Sequence, residues 1–176
     1  MEQEQQHGLF MGKNNMLNDK IIFWWDNSSF LPTGGKLVKH PNSKKIFGFG
    51  AREIADWLRV DIQYSINSVN IWINNLTDLA NSRAPDGMFG VGNAHWVLIT
   101  GDYVFIGTEY VEEQQVLLTR EQLLYILEQY KAFLEGNYED PNNPPAPIDV
   151  EFIAEGQEAV DLYNSLEGSH QVFYLE

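Results

Sequence analysis

The chain contains no cysteine, which excludes disulfide scaffolds, thiolate zinc sites and cysteine nucleophiles and leaves the fold to rest on its apolar core. Basic residues are scarce: 11 Lys and Arg stand against 25 Asp and Glu, for a formal charge of -14. Such a charge repels nucleic acid and anionic membranes and speeds encounter with a basic protein, so neither nucleic acid nor membrane is expected as a partner. Long apolar runs are missing too. Residues 21–25 and 96–99 are far shorter than the roughly 20 residues that span a bilayer. Residues 1–20 mix Glu2, Glu4, Lys13 and Lys20 with Gln and Asn and show no signal-peptide core, so a soluble, cytoplasmic protein is expected. Without a secretory signal, the Asn-x-Ser/Thr sites at Asn27 and Asn75 carry no meaning.

The usual signatures of chemistry are absent as well. The sequence has no phosphate-binding Gly-x-x-x-x-Gly-Lys-Ser/Thr loop, no Gly-x-Ser-x-Gly elbow and no His-Glu-x-x-His pair. Gly48-Phe49-Gly50 resembles the start of a dinucleotide-binding turn, but the third glycine's place falls at Arg52 or Glu53, and a plain turn is the better reading. His7, His40, His95 and His170 are far apart, and none has a second ligand at helical spacing, so no metal site and no cofactor is expected. His95 opens a strand after a glycine-rich loop, where a general base can sit, although a histidine satisfied by backbone at a strand end is the simpler reading. Glu112 and Glu113 are adjacent, so their side chains point apart and make a poor acid–base pair.

What the chain does have is enough apolar material for one domain: 176 residues, 44% hydrophobic and 13% aromatic. Residues 21–25 read as a buried strand, residues 32–35 as a loop and residues 45–49 as a short strand. Ile54, Trp57 and Leu58 mark a helix over 51–60, and Ile66, Val69, Ile73, Leu76 and Ala80 mark a second, widened by Trp72 and Leu79. Residues 82–93 read as a loop. The next segment is a hairpin, 95–100 and 103–107, joined by Gly101-Asp102 in a type I′ or II′ turn. A strand over 115–118 precedes a third helix, which starts at a capping box formed by Thr119 and Gln122 and stops at Gly136. Residues 150–154 look extended, 157–166 helical, and 171–175 like a terminal strand. The five tryptophans, Trp24, Trp25, Trp57, Trp72 and Trp96, fit core or interface anchors. The expected fold is α+β in a single domain, an antiparallel sheet with a central hairpin packed against three or four helices, with 1–20 a flexible N-terminal segment and 137–149 a Pro-rich connection.

The charge is not spread evenly. Residues 1–100 hold nine basic and nine acidic residues, whereas 101–176 hold only Arg120 and Lys131 against 16 acids, so the net -14 lies in the second part. Glu121, Glu128 and Glu135 are seven apart on one face of the third helix, opposite Leu123, Leu124, Leu127, Tyr130 and Leu134. Glu109, Glu112 and Glu113 precede that helix, Glu139 and Asp140 follow it, and Asp149, Glu151, Glu155, Glu158 and Asp161 continue the series. One reading is an ordinary solvated face that keeps the protein soluble. The other is a docking surface, where a positively charged partner relieves the repulsion among like charges.

The segments His95-Trp96-Val97-Leu98-Ile99 and Tyr103-Val104-Phe105-Ile106-Gly107, leading into Leu117-Leu118-Thr119-Arg120-Glu121-Gln122-Leu123-Leu124, give residues 94–136 a look similar to bacterial immunity proteins of polymorphic toxin and contact-dependent growth inhibition systems. The resemblance implies a non-catalytic cytoplasmic protein that binds a cognate toxin domain, often a basic nuclease, and blocks its active site. Besides a structural or accessory protein whose acidity serves solubility only, two rival expectations stand beside it. One is an acidic DNA mimic that inhibits a DNA-binding enzyme. The other is a small enzyme using His95 with Asp102 or a nearby carboxylate.

Overall fold

The computed structural model describes residues 16–26, 31–37, 48–77, 87–91, 94–108, 114–136, 143, 145–167 and 169. They form an α+β fold of two antiparallel sheets and four α-helices. The smaller sheet orders its strands β2-β1-β7, from β1 (Leu17–Asp26), β2 (Leu31–Leu37) and β7 (Ile148–Phe152). The larger runs β3-β4-β5-β6-β8, from β3 (Gly87–Val91), β4 (His95–Thr100), β5 (Tyr103–Thr108), β6 (Val116–Thr119) and β8 (Ala154–Glu155). The chain passes from one sheet to the other at Ile153, whose N–H donates to the Leu117 carbonyl at 2.8 Å.

The period-two pattern of β4 to β6 divides the apolar side chains between two faces. Val97, Ile99, Val104, Ile106, Val116 and Leu118 join the main core, together with Ile21 and Phe23 of β1 and the buried stripes of α1 (Phe49–Trp57), α2 (Ile66–Thr77) and α3 (Arg120–Glu135). Leu98, Phe105 and Leu117 point the other way, onto Ala159, Val160 and Tyr163 of α4 (Gly156–Asn164). Thus α3 and α4 lie on opposite faces of the larger sheet. Trp57 and Trp72 meet edge to face at 5.2 Å in the main core, and Trp96 lies 5.9 Å from Phe105 on the α4 side.

The hairpin and α3 form where the residues indicate. Gly101 takes φ +55 while Asp102 does not go positive, the sign pattern of a type II′ turn. The capping box is complete: the Gln122 N–H donates to Thr119 Oγ1 at 3.1 Å and the Thr119 N–H to Gln122 Oε1 at 2.9 Å. Gly136 caps the far end with extended dihedrals, so the stop needs no left-handed residue.

Five expectations are corrected. Residues 32–35 belong to β2, because an edge strand tolerates Pro and the pairing with β1 absorbs the glycines at a register shift between Ile22 and Trp24. Residues 87–91 of the expected loop form β3, again with a shift, between Met88 and Gly90. Phe49 starts α1 instead of ending a strand. At the termini of elements, β1 begins at Leu17, inside the segment expected to be flexible, and β7 takes Ile148 and Asp149 from the Pro-rich connection. The strand expected over 171–175 lies outside the described residues.

Candidate functional site

The main core holds three ionisable side chains together. Glu53 lies on the buried face of α1 among Ala51, Ile54 and Trp57, and is 0% exposed. Asp61 lies on the π-helical turn (Leu58–Ile62) that prolongs α1, and His95 is the first residue of β4. The Asp61 and His95 side chains are 5% and 4% exposed. Asp61 uses both oxygens: Oδ1 accepts the Ala94 N–H at 3.1 Å and Oδ2 is hydrogen-bonded to His95 Nδ1. An ionised Asp61 therefore places a proton on Nδ1 and turns Nε2 toward Glu53. Nε2 is 3.7 Å from Glu53 Oε1, and neither Glu53 oxygen has a hydrogen-bond partner among the described residues.

Burial, reinforced by the charges of Asp56 and Asp61, pushes the Glu53 carboxyl up to about 9. At neutral pH it is a carboxylic acid, able to donate to His95 Nε2 after a closure of roughly one ångström. The turn that carries Asp61 is itself unusual. Its wide pitch ends with the Gln63 N–H donating to the Leu58 carbonyl at 2.7 Å, and Gln63 adopts φ 59 and ψ -142, a region that side chains rarely occupy. The Tyr130 hydroxyl of α3 donates to the Gln63 carbonyl, and burial raises that phenol above its usual range, which keeps it a donor.

This geometry corrects the expectations for His95. The β4–β5 register pairs His95 with Thr108 and Thr100 with Tyr103, so Asp102, in the turn beyond Thr100, is at the opposite end of the strand. The partners are instead Asp61 and Glu53, and they are side chains, not backbone. Sequence reasoning missed both acids. Glu53 and Asp61 stand four residues before and after Trp57, on the buried stripe, and that placement was the available signal.

Gly48-Phe49-Gly50 is the start of α1, and the N–H groups of both glycines are taken. The Gly48 N–H donates to Asp19 Oδ2 at 3.2 Å and the Gly50 N–H to Glu155 Oε2 at 2.8 Å. Gly50 is required for a second reason, since a Cβ there would stand 2.6 Å from Phe152 Cε2.

The acidic series is divided by the fold. Glu121, Glu128 and Glu135 are exposed along α3, with the exposed Tyr125 between the first two. Glu151 is exposed on β7, and Asp149 beside it pairs with Lys20 at 2.6 Å. Glu158 and Asp161 are exposed on α4, on the other face of the larger sheet, and Asp161 accepts a bond from Gln157 at 2.8 Å. Glu155 is engaged at the start of α1. Glu109, Glu112, Glu113, Glu139 and Asp140 lie outside the described residues. Arg120 is buried, its Nε donating to the Gly101 carbonyl at 2.6 Å, which leaves Lys131, 3.9 Å from Glu135, as the only outward base among the described residues of 101–176. Among the described residues no group of His, Asp and Glu is arranged to hold a metal ion, and no helix is long and apolar enough to cross a membrane.

No family model matches the chain, and comparison with curated proteins and with solved structures gives no match.

Proposed function

We propose that this chain is a non-catalytic cytoplasmic binding protein, an immunity protein that neutralises a basic toxin domain, of the nuclease type, by docking its acidic surface on it. The observation that supports this reading most is the α3 stripe: Glu121, Glu128 and Glu135 exposed on one helix face around Tyr125, with Arg120 turned inward. Carboxylates steer and register a cationic groove, and an exposed tyrosine adds apolar contact and a face for Lys or Arg. Capture of partners from native lysate at low and moderate salt, followed by mass spectrometry and a nuclease assay, tests it. The expected result is a basic protein that is released by salt, loses activity when this chain is returned, and is not captured by Glu121→Lys/Glu128→Lys/Glu135→Lys. Equal capture by the reversed variant refutes it.

A second reading, acid–base catalysis at His95, draws support from the Asp61–His95–Glu53 arrangement, in which a carboxylate orients an imidazole. Exposures of 4% at His95 and 0% at Glu53 weigh against it, because general acid–base catalysis needs hydrogen-bond reach between the imidazole and a substrate.

A further inference from the structure

Helix α1 with the turn that prolongs it and the distant strand β4 meet at one buried cluster of ionisable side chains, whose parts are matched only at certain proton counts. Asp61 accepts the Ala94 N–H with one oxygen and holds His95 Nδ1 with the other, tying the π-helical turn to the first residues of β4. Nε2 faces Glu53 of α1 at 3.7 Å. With one proton between Glu53 and Nε2, each has a partner and the cluster carries a single negative charge. With none, two carboxylates and a lone pair face one another in a buried site.

We propose that Glu53, His95 and Asp61 form a proton-dependent latch that closes α1 and its π-helical turn onto the end of β4 and is loosened when the Glu53–His95 pair loses its shared proton. No other described ionisable group is placed to take over. On α1 and the turn, Asp56 is paired with Arg59 at 3.2 Å and Arg52 is exposed. From β1, Asp19 is held at Gly48 and Lys20 at Asp149, and from β8 Glu155 is held at Gly50. β5 brings only Tyr103, at the hairpin end, β2 brings Lys36, opposite Ile22 in register, and β3 and β6 bring none. The latch reaches the acidic helix, because the same turn ends at Gln63, whose carbonyl Tyr130 of α3 holds.

Amide hydrogen exchange on the full chain, with NMR of the Glu53 carboxyl carbon and the imidazole nitrogens, tests this without any partner, so it stands or falls apart from the docking reading. Open, Glu53 is an ordinary acid near 4.5; closed, it holds its proton to about 9. Protection of Ala94 and of the α1 amides, corrected for intrinsic exchange, should therefore fall by up to about tenfold per pH unit between about pH 7 and about pH 9 and then level off. Amides of β5 and β6 should not follow. Glu53→Gln keeps the shape and a donor, and should abolish the extra loss; Asp61→Asn should lower Ala94 protection at every pH. The latch is refuted if the loss survives in Glu53→Gln, if all amides lose protection in parallel, or if the imidazole nitrogens do not move with the Glu53 carboxyl.

Discussion

Replacing Glu53 by Gln should raise global stability, by an amount set by pH. The parent folds only with the carboxyl protonated or its proton shared, whereas the unfolded chain releases that proton above the free value of 4.5. The folded value being raised, the stabilising contribution is complete below 4.5 and is lost progressively as pH rises toward about 9. The slope is about 1.4 kcal/mol per pH unit over the two and a half units between the free value and neutral pH, which makes the parent about 3 to 3.5 kcal/mol less stable at pH 7 than a chain with a neutral isostere. That is a large share of a stability that is typically about 5 to 15 kcal/mol. Urea unfolding followed by far-UV circular dichroism, from about pH 5 to about pH 8, measures it, and the difference between the two curves cancels every group other than Glu53 and its neighbours. The difference should be smallest, below about 1 kcal/mol, at the acid end and grow with pH at constant m. A Gln variant that is less stable at neutral pH, or a difference that does not change with pH, would show that Glu53 is not held as an acid.

Other outcomes follow from single contacts. Thr119→Ala removes the capping box and should cost about 1 kcal/mol in urea unfolding. Gly50→Ala drives a methyl into the Phe152 ring and should cost about 1 to 3 kcal/mol; Phe152→Leu in the same chain should recover part of it, as a double-mutant cycle would show. Gln63→Gly relieves a backbone that disfavours a side chain, and should stabilise by about 1 kcal/mol even after the entropy glycine adds to the unfolded chain, readable as a higher melting temperature.

The parts of this fold legible in the sequence are those where local chemistry and tertiary packing agree. Thr119 and Gln122 satisfy each other within one turn, and Gly101-Asp102 sets a hairpin whose register needs no distant contact. The strands β2 and β3 were hidden because Pro32, Gly34, Gly35, Gly87 and Gly90 have loop chemistry; only pairing with β1 and β4 makes them extended. The buried site was half visible. Glu53 and Asp61 interrupt an apolar stripe at intervals of four from Trp57, which marks them as buried acids, but His95 lies 34 positions beyond Asp61, and only the order of the sheet brings it there. The pairing of His95 with Asp102 failed for the same reason: neighbours in sequence across a hairpin strand are at opposite ends in space.

The acidic surface needs a physical account different from the one its composition first invites. Seven helical residues span roughly 10 Å, so neighbouring carboxylates of the α3 stripe are further apart than the Debye length of about 8 Å at physiological salt. In water two unit charges at that distance repel by only roughly 0.4 kcal/mol, and screening removes most of that. Repulsion within the stripe therefore does not destabilise the fold, and a partner gains nothing by relieving it. One charge per roughly 10 Å also falls far below the one per about 1.7 Å of duplex DNA, which disfavours the DNA-mimic reading. The carboxylates of α4 cannot fill the gaps, being across the larger sheet. What such a stripe supplies is long-range steering, which appears in the association rate and is salt-sensitive. Glu121→Lys/Glu128→Lys should thus cost no more than about 1 kcal/mol of unfolding free energy, most of it from a cation placed in the first turn of α3, while slowing association with a captured basic partner at low salt. The decisive comparison is the salt series: steering by α3 predicts that the variant's association rate no longer falls as salt is raised, whereas a variant that keeps the parent's full salt dependence would place the steering charge elsewhere on the molecule.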